Sequence, residues 1–296
     1  MKRKARIKES AGSRIADVLI NAVGVLVILI TLIPFMHVVA MSLSDPLLVM
    51  KQEIFLWPRQ VQLRAYQMVL ENQLFWTSYK NTIWVVVVGT LVNIFVTVLL
   101  AYPLSRRHTV GRRPIMLLIT FTMFFSGGMV PLFIVVSQLG LYNNRWALIL
   151  PSVVSTYNLI VCRTFFEGIP DSLIESAKLD GANDIRILVS IVLPLSSAII
   201  AVLVLFYAVG HWNSYFPAML YLPDTKLQPV QVYLVRVLIQ DTEEMAQDSS
   251  AGASRAMLVQ QLKYAVIIVT VLPIAVIYPF LQKYFVQGVM IGAIKG

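Results

Sequence analysis

Long, nearly uncharged runs of apolar residues constrain this chain more than any other feature of its sequence. The run from Val18 to Ala40, for example, contains no Asp, Glu, Lys or Arg. A helix needs about 20 apolar residues to cross the ~30 Å hydrocarbon core of a bilayer. Only 13% of the 296 residues are charged, against about 25% in soluble domains. The chain is therefore predicted to be an all-α integral membrane protein.

Six apolar segments are long enough to cross a bilayer. The first resembles a signal peptide, with Val38 and Ala40 as a cleavage pattern, but it exceeds the 7–15 residues of a signal-peptide core. The fourth contains Pro151, Asn158 and Arg163, and membrane helices tolerate proline where neighbours satisfy the freed carbonyls. The predicted spans are residues 18–41, 82–104, 115–136, 146–165, 187–209 and 258–280, within a transmembrane domain at 15–288.

The positive charge of the chain indicates its orientation. The formal net charge is +9, and membrane proteins collect Lys and Arg in their cytoplasmic loops, so no nucleic-acid partner is expected. With the N-terminus inside, the inner segments hold 15 of the 24 Lys and Arg residues. The predicted cytoplasmic parts are a basic tail at 1–14, a loop that includes 106–113, a loop at 166–186 and a tail at 289–296.

Two predicted outer loops are long, at residues 42–81 and 211–257. The second includes an acidic patch rich in small residues, Asp241–Gly252. A solvated loop and a docking surface for an external partner both account for this composition.

The loop at 166–186 carries the most specific local pattern. Ser172 and Glu175 have the spacing of a capping box and predict a short helix at about Leu173–Leu179. Gly181 stands where a left-handed C-cap is favoured, and Asn183 or the residue after it can cap the next helix. Taken alone, Glu175 and Gly181 could serve only to start and stop this small helix.

The whole spacing of this loop resembles the EAA loop of bacterial ATP-binding-cassette (ABC) importer permeases. The pattern E-A-A-x-x-x-G-x(9)-I-x-L-P is met at each position except the second, where Ser replaces Ala. The residues at the defined positions of the pattern are Glu175, Ser176, Ala177, Gly181, Ile191, Leu193 and Pro194. Less specific stretches, such as Met129–Phe133 and His211–Phe216, are similar to the carbohydrate-importer branch, which includes maltose-transporter G-type and LplC-type oligosaccharide permeases.

This resemblance implies the six-helix architecture of a type I ABC importer permease in the bacterial plasma membrane. The chain would form half of the pathway for an oligosaccharide that an extracellular sugar-binding lipoprotein delivers. A second, non-identical permease subunit and cytoplasmic ATPase subunits complete the family's assembly. The short helix would dock on the ATPase through Leu173, Ile174 and Ala177. ATP and Mg²⁺ would bind the ATPase, since this sequence has no G-x-x-x-x-G-K-[ST] motif.

Candidate substrate contacts are the amides and aromatic rings within the spans. Sugars expose both hydroxyl groups and apolar C–H faces, so a sugar pathway is expected to place amides beside aromatic rings. Ordinary packing and an aromatic belt at the interface are the alternatives. The candidates are Asn93, Tyr157, Asn158, Tyr207 and Trp212.

Other function classes have less support. A secondary transporter working alone usually has acidic residues near the bilayer midplane, whereas Asp17 lies at the edge of a span. A membrane-embedded enzyme would need a catalytic or metal-binding cluster, and none is predicted. His37, His108 and His211 are far apart and are interpreted as packed or interfacial. An EAA-loop permease for another solute, such as amino acids or phosphonates, stays open.

Overall fold

A computed structural model describes residues 11–247 and 253–293 of the chain. Within these residues the regular structure is helical, with no strand, which confirms the all-α class. In this part of the chain the α-helices are α1 (Ala11–Leu43), α2 (Pro46–Met50), α3 (Arg64–Glu71), α4 (Gln73–Ser105), α5 (Arg112–Phe124), α6 (Met129–Gln138), α7 (Thr156–Glu167), α8 (Asp171–Leu179), α9 (Asp184–Ile187), α10 (Leu193–Leu195), α11 (Ser197–Trp212), α12 (Phe216–Tyr221), α13 (Val230–Gln247) and α14 (Ala253–Ala293).

Three helical stretches among the described residues are long and apolar enough to cross a membrane, namely Ile15–Leu43, Gln73–Ser105 and Leu258–Pro279. Three bent helix pairs pass the same criterion together, so the described chain has up to six spans if each pair is one span. In the first stretch none of the most apolar window is buried. Such a surface is stable only where lipid or another protein covers it, in agreement with the six-span membrane architecture.

The third predicted span, 115–136, is not one continuous helix. Helices α5 and α6 meet at an angle of 115°. Gly127 and Gly128 lie between them, and Gly128 has φ +85°, a backbone conformation that glycine adopts without steric cost. The chain therefore changes direction at a point where the apolar composition alone predicts a straight helix.

The fourth and fifth spans are broken as well. Two short 3₁₀ segments, Arg145–Leu148 and Leu150–Ser152, precede α7 and form a 52° bend with it. The fifth span bends by 84° between Asp184–Leu195 and α11. A π-helical segment, Leu188–Val192, ends two residues before Pro194. Proline removes an amide donor and clashes with the carbonyl four residues earlier, which accounts for the irregular turn and the bend.

The two segments predicted as long outer loops contain helices. Helices α2 and α3 lie in 42–81, and the second membrane helix begins at Gln73 rather than residue 82. Helices α12 and α13 lie in 211–257. The acidic patch Asp241–Gly252 begins within α13, and its residues 248–252 lie outside the described part of the chain. Residues 1–10 of the predicted basic tail and 294–296 of the C-terminal tail also lie outside it.

The chain divides into two compact units. The first comprises residues 1–71 and 238–269, and Ala40, Met41, Val49 and Ile54 form a small buried cluster in its described part. The side-chain amide of the buried Gln261 donates hydrogen bonds to two backbone carbonyls at the end of α1, at 3.2 and 2.7 Å. These bonds satisfy the amide nitrogen, which would be costly to bury without a partner.

The second unit comprises residues 72–237 and 270–296. Its centre is α4, which packs against both α7 and α11. Large side chains such as Leu159, Phe166 and Leu203 are fully buried between these helices. This three-helix contact positions both of the features described next.

Candidate translocation cavity and coupling helix

A cavity of about 1360 Å³ lies in the second unit. Its walls come from α11, from the break between α5 and α6 and from the 3₁₀ segment before α7. Four of the five predicted pathway residues line it: Asn93, Tyr157, Asn158 and Tyr207.

Trp212, the fifth candidate, is not among the residues that line this cavity. Its ring instead contacts Tyr79 edge-on, with 5.8 Å between the ring centroids. Tyr207 and His211 are four residues apart on α11 and share the face toward the cavity. The next residue is rotated by about 100° around the helix axis. Trp212 therefore lies outside this cavity, and its assignment to the pathway stays a prediction.

Asn93 connects two walls of the cavity. Its side-chain Nδ2 donates to the Ser152 carbonyl at 2.9 Å, and its Oδ1 lies 3.2 Å from His211 Nε2. A backbone carbonyl can only accept, so the amide nitrogen of Asn93 faces Ser152 and its oxygen faces the imidazole. His211 Nε2 is then the donor and carries a proton.

His211 lies at a close contact between α4 and α11. A Cβ atom built on Gly89 would be 2.5 Å from His211 Nε2, so this contact requires a residue without a side chain. His211 is 7% exposed and lines the cavity, although the sequence indicated only a packed or interfacial histidine. The sequence feature that indicates this contact surface on α4 is the spacing of Gly89 and Asn93, since residues four apart share one helix face.

Asn93 and Thr97 are four residues apart on one face of α4, referred to below as the polar stripe, and Tyr207 contacts it as well. Its hydroxyl lies 2.7 Å from Thr97 Oγ1 and accepts a hydrogen bond from the Ser155 amide at 3.2 Å. The Ser155 hydroxyl in turn accepts from the Asn158 amide at 3.4 Å and caps α7. Tyr207 therefore fixes the start of α7 relative to α4 and α11.

The cavity wall offers amides, hydroxyl groups and aromatic rings, and its lining residues include no Lys, Arg, Asp or Glu. The Tyr157 ring is 54% exposed and lies 6.2 Å from the Phe206 ring. Binding pockets typically combine an apolar lining with a few polar groups that fix orientation. This wall suits a ligand with uncharged polar groups and an apolar face.

The second feature is α8, within the loop that carries the EAA pattern. Gly181 follows this helix with φ +82°. Its amide donates to the Lys178 carbonyl at 3.0 Å, and the Ala182 amide donates to the Ala177 carbonyl at 2.9 Å. These two bonds form a Schellman motif, so the predicted C-cap is confirmed. The Asn183 side chain accepts from the Arg186 amide at 2.8 Å and caps α9, also as predicted.

The predicted capping box is not formed. Helix α8 begins at Asp171, two residues earlier than expected, and no side chain caps it. Ser172 therefore lies inside the first turn, where it cannot act as the N-cap residue. The carboxylate of Asp171 in that turn interacts favourably with the helix dipole. Glu175 is exposed and available to a partner.

Two of the predicted ATPase contacts face the chain's own core. Ile174 is 6% exposed and Ala177 is 9% exposed, and both belong to the cluster that contains Phe166 and Ile187. They attach α8 to the permease core, whereas the sequence interpretation assigned them to a groove on the ATPase. The direction in which a short helix faces depends on tertiary packing, which the motif does not specify.

Other apolar residues of this loop are exposed. Leu173 is 45% exposed, Leu179 is 90% exposed and Ile185 is 74% exposed. The sequence interpretation missed Leu179 and Ile185. Apolar side chains this exposed in a loop between spans indicate a contact surface.

The remaining residues of the motif have different surroundings. Ser176 is exposed beside Glu175. Ile191 and Leu193 are half-buried against the core cluster, and Pro194 is exposed at the 84° bend. The last part of the motif therefore shapes the fifth span rather than the exposed surface of α8.

The sequence is similar to a known family of membrane transport components. Residues 94–291 match the family described as "binding-protein-dependent transport system inner membrane component". The polygalacturonan/rhamnogalacturonan transport system permease protein YtcP of Bacillus subtilis (strain 168) is 43% identical over 96% of this chain and 99% of its own length. Protein LplC of the same organism is 41% identical over 90% of each chain.

A solved structure is similar over most of the fold. It is a chain of a bacterial ABC transporter involved in the import of the acidic polysaccharide alginate. It covers 95% of this chain and 100% of its own length, with 33% sequence identity and a TM-score of 0.85.

Proposed function

The chain belongs to the family of binding-protein-dependent transport system inner membrane components, and from that membership we propose that it is a permease subunit of an ATP-driven oligosaccharide importer. The observation that carries this proposal is a cavity of amides, hydroxyls and aromatic rings, without Lys, Arg, Asp or Glu in its lining, in a chain that also carries an EAA-type helix. The names of the relative that is 43% identical and of the similar solved transporter both refer to polysaccharides.

The cavity favours a sugar over the alternative solutes. The wall offers aromatic rings beside hydroxyl groups, and an amino acid or a phosphonate has no pyranose face that could lie on those rings. Here the lining residues include Asn158 and several hydroxyl groups beside the exposed Tyr157 ring. These groups match the hydroxyls and the C–H face of a pyranose ring. The amide of Asn93 is already bonded within the wall and holds its shape. A non-identical second permease subunit would complete the pathway.

Energy would come from a separate cytoplasmic ATPase that binds ATP and Mg²⁺. We assign its contact to the exposed side of α8 and α9, where Leu173, Leu179, Ile185 and Glu175 are all exposed. An apolar centre with a charged residue beside it is typical of protein interfaces. Because Ile174 and Ala177 attach α8 to the core, movement of the docked helix would be transmitted to α7 and α11.

An extracellular sugar-binding lipoprotein would deliver the substrate. A ligand shifts a conformational equilibrium only by its different affinities for the two states, so the loaded receptor should favour the ATP-competent state more than the empty receptor does. The segment 211–257 is our candidate contact for this receptor.

We expect sugar-loaded receptor to raise ATP hydrolysis by the complete importer, with both permeases and the ATPase reconstituted in lipid. The assay compares an oligogalacturonide, a maltooligosaccharide and an amino acid, each with and without receptor. An oligosaccharide should stimulate hydrolysis only when the receptor is present, and the amino acid should not. Saturable, selective uptake without any receptor would contradict the proposal.

We also propose that both termini are cytoplasmic. The Arg106 guanidinium donates to the Phe166 carbonyl at 3.0 Å and lies 3.9 Å from Asp171, so the loop at 106–113 and α8 share one side of their unit. Reporter fusions after Met1, within 106–113 and after Gly296 are expected to report cytoplasm. An external signal from any of the three would contradict this topology.

A further inference from the structure

A second cavity, of about 880 Å³, lies outside the translocation cavity. It lies where α4 ends, α5 begins and α7 ends. Its charged lining residues are four arginines and one acid: Arg107, Arg112, Arg113, Arg163 and Glu167. We refer to it below as the arginine cavity.

The arginines differ in how they are held. Arg112 and Arg163 both form ion pairs with Glu167, the second at 2.9 Å, and Arg163 Nε also donates to the Leu104 carbonyl at 3.0 Å. Arg107 and Arg113 are exposed, and within the described residues neither forms an ion pair. One carboxylate thus faces four guanidinium groups, and the cavity has an excess of positive charge.

The start of α5 adds to this excess. Gly111 precedes the helix with φ +76°, and no side chain caps the first turn. The positive end of the helix dipole lies here, although the Arg112 amide already donates to the Thr109 carbonyl at 3.4 Å and Pro114 has no amide hydrogen. Arginine forks bind phosphate groups well, and here four of them line one cavity at the positive end of the α5 dipole.

The position of the arginine cavity indicates the source of the phosphate. Three membrane segments end or begin around it, so it lies at the boundary between the apolar core and water. Basic pockets at that depth bind the phosphates of anionic lipids. We propose that the arginine cavity binds the phosphate of an anionic lipid headgroup, with Arg107 and Arg113 as its principal ligands. Placing it in the inner leaflet rests on the proposed function.

The test is a titration of the assembled importer, in neutral detergent, with fluorescent phosphatidylglycerol. The R107Q/R113Q variant is expected to bind this lipid about 30-fold more weakly than wild type, at about fivefold for each arginine near the headgroups. The R107K/R113K variant keeps the charge and should stay within several-fold of wild type. Arg112 and Arg163 are left unchanged because they hold Glu167.

The control variant R59Q/K80Q removes two exposed positive charges elsewhere in the chain, and it should bind the lipid as wild type does. Fluorescent phosphatidylcholine should bind weakly to all four proteins. Equal affinity of wild type and R107Q/R113Q for phosphatidylglycerol would overturn the proposal, as would an equal loss in R59Q/K80Q.

Two further arms distinguish other occupants. If inorganic phosphate displaces phosphatidylglycerol at equal concentration, the ligand is a soluble anion, and the lipid assignment is wrong. If the permease pair binds the lipid but adding the ATPase excludes it, the arginine cavity is a protein contact and the proposal is again overturned. Lipid binding is read without sugar or ATP, so its outcome is separate from that of the transport assay.

Discussion

Replacing Gly181 by Val is expected to lower sugar uptake more than tenfold while leaving the amount of protein in the membrane unchanged. Gly181 has φ +82° after α8, and this conformation costs an L-residue about 1–2 kcal/mol, with β-branched side chains among the least tolerant. The Schellman bonds of Gly181 and Ala182 would then be lost or distorted, and α8 would no longer be held in its docking position. Uptake, membrane level and co-purification of the ATPase measure the effect.

The matched control is Gly181→Asn. A Cβ at this position would meet nothing within 4 Å, so sterics with neighbours are not the obstacle, and Asn adopts the left-handed region more readily than other L-residues. This variant should retain most of the uptake and most of the ATPase. If Val supports wild-type uptake and ATPase retention, or if Asn is as damaging as Val, the conformational role of Gly181 is wrong.

The sequence predicts those features of this fold that depend on local chemistry. The apolar runs identify the membrane segments because a bilayer requires a minimum length. The C-cap at Gly181 and the N-cap at Asn183 are also local, since each depends on residues within one helical turn. Both are present in the structure.

The misplaced features depend on tertiary packing or on breaks within apolar runs. Gly127 and Gly128 interrupt the third span, and neither changes the mean hydropathy enough to reveal a bend. The inward orientation of Ile174 and Ala177 depends on core residues such as Phe166 and Ile187. The apolar residues of a short helix can pack against the chain's own core or against a partner subunit. The sequence of the helix alone does not say which residues do which.

The spacing of residues in the sequence predicts part of the polar stripe of α4. Gly89, Asn93 and Thr97 follow each other at four-residue intervals, and this spacing places them on one helix face. The partners of that stripe, Tyr207 and His211, are 110 and 118 residues further along the chain from Thr97 and Asn93. No local pattern connects such positions, so the cavity wall required the packing of α4 against α11.

Gly89→Ala is expected to destabilise the protein by about 1–3 kcal/mol, the usual cost of overpacking a tight contact. The added Cβ would lie 2.5 Å from His211 Nε2 and within 2.9 Å of two ring carbons. The imidazole must therefore move away from Asn93 or α11 must shift relative to α4. Either response changes the cavity wall, and we expect lower receptor-stimulated ATP hydrolysis together with a lower melting temperature in detergent.

The double variant Gly89→Ala/His211→Ala tests whether the loss of stability comes from the clash with His211. The alternative is that any side chain at position 89 destabilises the protein, whatever stands at position 211. Removing the imidazole makes room for the new methyl group, so the two changes should be coupled favourably by about 0.5–3 kcal/mol relative to the sum of the single variants. Gly24→Ala is the matched control, because a Cβ on Gly24 would meet nothing within 4 Å, and its melting temperature should not fall. Additive losses in the double variant would show that Gly89 and His211 are not in contact. The coupled result would show that the space at Gly89 is what allows His211 and Asn93 to form the wall of the cavity.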